Sequence, residues 1–292
     1  MKNKLSVPLL TVLGIAQDGG VPHSGCYQEC CRDAWLHSSA QKLVSCLGII
    51  DPISQERWMI DATPDFKFQL RSLHNQLPFV SEKLLDGIFL THGHIGHYTG
   101  ILNLDKAIMN SKNIPVFAMP KMSQFLRDNF PWKGLLENHN IDLYNMSDNV
   151  SYALNNRISI MPFLVPHRDE YTETVGFQIL GPNKKVLYIP DIDRWEQFEK
   201  IDSLIQDCDI VLVDGTFFSG NELLGRDMSK IPHPTIESSL LRFSKLPESK
   251  KSQFYFIHLN HTNPCLNPNS KEYELVNKRG FRIAKEGETF NI

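Results

Sequence analysis

The stretch Phe89 to Ile101 reads FLTHGHIGHYTGI and carries three of the chain's eleven histidines, His92, His94 and His97. On an extended backbone the side chains at i and i+2 point the same way. His92 and His94 can therefore bring two imidazole nitrogens to one ion at about 2.0–2.1 Å. A bare H-x-H loop that holds no metal is the alternative. Asp61, His167, Asp191 and His258 stand, like His92, at or just after the C-terminal end of an apolar β-like run. A packed scaffold delivers side chains from such places into a shared cleft.

The elements that must position these residues alternate along the chain. Ten β-like runs are PLLTVLGI, KLVSCLGII, RWMIDA, LDGIFLT, IPVFAM, RISIMPFLVP, TVGFQIL, KVLYIPD, DIVLVDG and QFYFIHL. In PDFKFQLRSLHNQL the residues Phe66, Leu70, Leu73 and Leu77 recur at helical spacing, with Pro64 placed to open the first turn. KMSQFLRDNF, RWEQFEKIDSLIQD and TIESSLLRFSKL are further helical segments. No short repeat, low-complexity linker or composition shift divides the chain. One α/β domain over residues 1–292 is the simplest organisation.

With 292 residues, 41% of them hydrophobic, the chain can bury a sizeable core. Thirty basic against 33 acidic residues give a net charge of −3, and no basic run is placed to follow a phosphate backbone. A small-molecule substrate is expected, with no nucleic acid. No apolar run reaches the roughly 18 residues of a membrane span, so no membrane partner is expected either. MKNKLSVPLLTVLGIAQ has the outline of a signal peptide, but cleavage after Ala16 would remove the strand leading into the cysteine cluster. A first β-strand and a cytoplasmic location are the simpler expectation. A homodimer is left open.

THGHIGHYTGI is similar to the T-H-x-H-x-D-H-x-x-G signature of the metallo-β-lactamase superfamily, and Asp61, His167, Asp191 and His258 follow as its other landmarks. The resemblance spans about residues 7 to 262 and implies an αββα sandwich with metals at one edge. It makes His92, His94 and His167 ligands of one ion, His97 and His258 ligands of a second, Asp191 a bridge between them, and Asp61 an orienting residue. Gly96 departs from the pattern, in which this position is an aspartate. Its loss leaves the second ion with His97, Asp191, His258 and water or substrate, unless a carboxylate arrives from elsewhere. Three readings result: a one-metal enzyme whose three-histidine site would lower the pKa of a bound water to about 7, with Asp191 as general base, a two-metal enzyme, and a non-catalytic member.

Cys26, Cys30 and Cys31 crowd into six positions, a pattern that suits a metal or redox centre better than a disulfide framework. GVPHSGCYQECC resembles the N-terminal segment of two branches of the superfamily. These are the coenzyme PQQ synthesis protein B group and the cyclic phosphodiesterase of the carbon–phosphorus lyase pathway. The resemblance implies a structural zinc held by Cys26, Cys30, Cys31 and His261, with His23 as the alternative to Cys30 and a vicinal disulfide or free thiols as the bland reading. VDGTFF and IPHPTIESS resemble elements in which a histidine protonates the leaving group. That role falls on His233, assisted by Asp214, unless His233 is an ordinary loop residue. HLNHTNP resembles the H-x-N-N-T-N-P of the PQQ synthesis group.

The expected activity is a metal-dependent hydrolase acting through a metal-bound hydroxide on a phosphodiester or other ester-like small molecule. One or two zinc ions would occupy the active site and one the cysteine site, with iron or manganese as open substitutes. The competing expectations are an iron-dependent oxygenase related to PQQ biosynthesis and a non-catalytic metal-binding member. His37, His74 and His139 lack such context and read as ordinary histidines.

Overall fold

The computed structural model describes residues 6–77, 83–223 and 225–292. The lysine-bearing start of the signal-peptide reading, residues 1–5, lies outside them. Two seven-stranded sheets pack face to face. The first contains β1 (Leu9–Gly14), β2 (Cys46–Asp51), β3 (Glu56–Ile60), β4 (Gly87–Phe89), β5 (Ile114–Ala118), β6 (Ile141–Asn145) and, beside β1, the last strand β14 (Thr289–Asn291). The second runs from β7 (Tyr152–Ala153) through β8 (Ser159–Leu164), β9 (Val175–Leu180), β10 (Lys185–Ile189), β11 (Ile210–Asp214) and β12 (Phe254–Ile257) to β13 (Arg282–Ile283). Helices cover both outer faces, completing the αββα sandwich.

The period-two alternation of the strands explains the layering. On β2 and β3, Leu47, Ile49, Trp58 and Ile60 join the core shared with Phe177, Ile179 and Leu187 of the second sheet. Cys46, Ile50 and Met59 face the other way, onto Phe66 and Leu73 of the helix Phe66–Gln76. Leu70 of that helix and Leu77, the residue just past its end, only partly bury. Its helical backbone starts at Phe66, after Asp65, two residues later than a helix opening on Pro64 would. Strands β10, β11 and β12 are parallel neighbours, buried at nearly every position, as continuous apolar runs in a parallel sheet require.

Each of the ten β-like runs contains a strand. The four short edge strands β6, β7, β13 and β14 carry too few apolar residues to announce themselves. RWEQFEKIDSLIQD divides into a 3-10 turn, Trp195–Gln197, and a helix, Ile201–Asp207. The cysteine segment contains a helix with no sequence expectation behind it, Glu29–Leu36, which presents Cys30 and Cys31 from its first turn.

Candidate metal centre

The C-terminal ends of strands from both sheets converge on one edge of the sandwich. Asp61 follows β3, the histidine loop follows β4, His167 follows β8, Asp191 follows β10, Asp214 ends β11 and His258 follows β12. All six of His92, His94, His97, His167, Asp191 and His258 are buried there.

Their donor atoms form two adjoining groups. In the first, His94 Nδ1 lies 2.9 Å from His92 Nε2 and 3.2 Å from His167 Nε2. Two nitrogens bound tetrahedrally at 2.0–2.1 Å stand about 3.3 Å apart, so these spacings fit one ion. In the second, Asp191 Oδ2 is 3.2 Å from His97 Nε2 and 3.4 Å from His258 Nε2. The same oxygen is 3.8 Å from His92 Nε2, so it faces both groups. His97 Nε2, His258 Nε2 and Asp191 Oδ2 are buried without a hydrogen-bond partner among the described residues. Orphaned donor atoms converging on one point fit a cation.

The atoms turned away from that point are supported by the same device in each sheet. Asp61 Oδ1 accepts the Thr91 N–H at 2.8 Å and its hydroxyl at 2.9 Å. Thr91 Oγ1 then accepts from His92 Nδ1 at 2.9 Å, and Asp61 Oδ2 accepts from His97 Nδ1 at 2.7 Å. Asp214 repeats the pattern with Thr216, taking its N–H at 2.9 Å and its hydroxyl at 2.8 Å. Thr216 Oγ1 accepts from His258 Nδ1 at 3.0 Å, and Asp214 Oδ2 from His233 Nδ1 at 2.7 Å. Protonating Nδ1 leaves Nε2 of His92, His97 and His258 as the lone-pair donor. Asp193 Oδ1 stands 2.9 Å from His167 Nδ1.

Burial, then the charge near His97, holds His92 well below the usual imidazole range; burial, then His167, lowers His94 to about 4. These rings are neutral and have no proton to lose before binding a metal. Burial alone would lower His97 too, but Asp61, Asp18 and Asp191 hold it well above its ordinary value. Loading an ion beside it must expel a proton, so binding tightens as pH rises. Burial opposes ionisation of Asp191, yet His258, His97 and His167 keep it well below the usual carboxylate range. The carboxylate is therefore held ionised at the point where the two donor groups meet.

His233 lies at the margin of the cluster, its Nδ1 3.9 Å from Asp191 Oδ1. It also lines a cleft of about 460 Å³ with Phe217, Pro234 and Trp195. Burial alone would depress His233, but Asp214 raises it above its ordinary value. A second cleft of about 330 Å³, beside His94, is lined by Asp18, Ile95, Tyr98, Phe125, Arg168 and Tyr171.

Cys26, Cys30, Cys31 and His261 offer donors that all lie within 4.8 Å of one another. Cys26 and Cys30 Sγ are 3.6 Å apart, near the roughly 3.8 Å edge of a tetrahedron with 2.3 Å zinc–sulfur bonds. All six cysteines are free thiols, so no vicinal disulfide forms. His23 stands outside the donor group; its ring packs on His261 at 4.3 Å and its backbone N–H donates to Cys31 Sγ at 3.3 Å.

Sequence reasoning missed Asp18, Thr91, Thr216 and Asp193. The two threonines directly adjoin or follow recognised motifs, and Asp18 stands in the QDGG turn after the first strand.

Residues 56–259 match the beta-lactamase superfamily domain, and the chain belongs to that superfamily. Among its relatives, the coenzyme PQQ synthesis protein B of Methylococcus capsulatus is 25% identical over 306 residues, covering 96% of this chain and 98% of its own. Zinc-bound PqqB from Methylobacterium extorquens superposes with a TM-score of 0.81 at 23% identity, covering 97% of this chain and all of that one. A diphosphatase of the PhnP family gives 0.68 at 21% identity, covering 97% and 96%. At such identities the solved structures establish the fold.

Proposed function

We propose that the protein is a metal-dependent hydrolase of a phosphodiester or another ester-like small molecule. One observation carries the reading. The two donor groups meet at Asp191, and a histidine outside both, His233, is held beside them by its 2.7 Å hydrogen bond to Asp214. When bound, the metal would lower the pKa of a coordinated water to about 7 and polarise the ester oxygen. Asp61 and Thr91 keep the histidine loop in its metal-facing tautomers. Asp214 fixes His233 through Nδ1, and Nε2 of that ring would carry the proton that passes to the departing oxygen. Arg168, Tyr98 and Tyr171 supply one cation and two aromatic faces to the neighbouring cleft, which suits a small anionic ester. Zinc fits the donor sets of both the histidine centre and the cysteine cluster.

His92→Ala and His94→Ala should each remove metal from the histidine centre and lower turnover on phosphodiester and related ester substrates by at least about 1,000-fold. Full activity in either variant defeats the proposal. The end-to-end match to PQQ synthesis relatives supports a second reading, an iron-dependent oxygenase. Iron in protein purified without added metal, together with substrate-dependent oxygen consumption, would establish it in place of the hydrolase.

A further inference from the structure

The signature position for a carboxylate is Gly96, yet a carboxylate already fills its space. A Cβ built on Gly96 would lie 2.3 Å from Asp18 Oδ1, 2.6 Å from its Cα and 2.8 Å from its Cγ. Real Cβ atoms do not approach neighbours so closely. Position 96 is closed to any side chain because the turn carrying Asp18 rests on it. Asp18 Oδ1 is 3.3 Å from His97 Nε2 and 3.7 Å from His258 Nε2, within reach of a shared ion. That oxygen is buried with no hydrogen-bond partner among the described residues. A metal ion shared with the two rings would supply that oxygen with the partner it lacks.

The backbone explains how a residue so distant in sequence arrives there. Beyond β1 the chain continues between the two sheets. Ile15 N–H donates to Leu43 O at 2.9 Å on one side, and Leu259 N–H donates to Ile15 O at 2.8 Å on the other. Gln17 N–H then donates to Leu259 O at 2.8 Å, one residue from His258. The Gly20 N–H closes the turn on Gln17 O at 2.8 Å, with Gly20 at φ +65°, a conformation that glycine adopts freely. Asp18 is thereby presented beside His258 by the ladder that fixes the neighbouring Leu259.

We propose that Asp18 is the carboxylate ligand of the second metal site, completing the set His97, Asp191 and His258 in place of the side chain that Gly96 lacks. This rests on the metal-centre reading above. It implies a two-metal centre in which the ligand has moved from the histidine loop to the first loop.

The test is metal counting on the full chain loaded with zinc, by elemental analysis and competition with a chromogenic chelator. Wild type should hold two ions at the histidine centre, beyond any in the cysteine cluster. Asp18→Asn and Asp18→Ala should lose one of the two, or bind it at least about 10-fold more weakly, with the other ion unchanged. Asn keeps the size of the side chain, and equal melting temperatures of the metal-free proteins show that the turn survives. In the cobalt-substituted protein, magnetic coupling between the two ions should disappear in the same variants. Gly96→Asp should weaken the second ion as well, because the new side chain displaces the Asp18 turn. Unchanged affinity in both Asp18 variants, or tighter binding in Gly96→Asp, overturns the proposal and leaves the hydrolase reading standing. A wild-type protein with no ion at the histidine centre overturns both.

Discussion

Asp61 and Asp214 end corresponding strands in opposite sheets and hold their surroundings by the same bonds, yet the histidines they orient meet different fates. Each carboxylate takes a threonine N–H and hydroxyl on one oxygen and a histidine Nδ1 on the other. His97, held by Asp61, is fully buried and directs Nε2 toward Asp18 and Asp191. His233, held by Asp214, borders a cleft. The support is shared, and what lies in front of the ring decides between a ligand and a proton donor.

The comparison breaks most visibly if one member of each relay is removed in turn, the carboxylate Asp61 and the ring of His233. Asp61→Ala should cost the second ion and lower turnover by about 1,000-fold or more, because His97 loses its fixed tautomer. His233→Ala should lower kcat by about 100- to 1,000-fold with both ions retained. Metal analysis beside kcat separates the two, and loss of an ion from His233→Ala would move that residue into the ligand set.

The cysteine cluster sharpens the contrast from outside the centre. The apolar cluster under its segment consists of only Ala16, Val21 and Ala34, with Ala40 and Leu266 at its edge, while Tyr27 and Leu36 lie largely exposed. A metal there would supply stability that so thin a core does not. Cys31→Ser should remove one ion, lower the melting temperature by about 5–10 °C and leave the histidine centre loaded. An unchanged melting temperature would show that the cluster holds no structural ion.

The smallest effect concerns the floor of the first loop. Glu286 Oε1 accepts the Leu43 N–H at 2.5 Å, and Leu43 in turn anchors Ile15. Burial pushes the Glu286 carboxyl up from 4.5 to about 7. Between those values the folded chain keeps a proton that the unfolded chain releases, so stability falls as pH rises through the window and levels off above 7. Glu286→Gln lacks this titration. Its melting temperature should fall less than that of wild type between pH 5 and 8, by about 2–4 °C; parallel profiles would dismiss the carboxyl as the source.

The sandwich was legible because its strands are apolar runs ending in polar residues, and Asp61, His92, His167, Asp191 and His258 meet where those runs end. Their side chains were visible one at a time in the sequence. What stayed hidden depends on approach between distant segments. Nothing in QDGG announces that Asp18 lies on Gly96, and the edge strands form only because a neighbouring strand offers them hydrogen bonds. The Thr–Asp relays were half visible, since Asp61 and Asp214 stood out while the threonines between carboxylate and ring did not.

Asp61 and His258 both adopt left-handed backbone, at φ 68° and 63°. For a residue with a Cβ this conformation costs about 1–2 kcal/mol. Glycine would relieve that strain at either site, offsetting part of the stability lost with the side chain's contacts. Selection for thermostability alone would therefore favour glycine over other replacements at these positions. A stabilised variant chosen without an activity screen could thus carry a well-folded but disarmed centre.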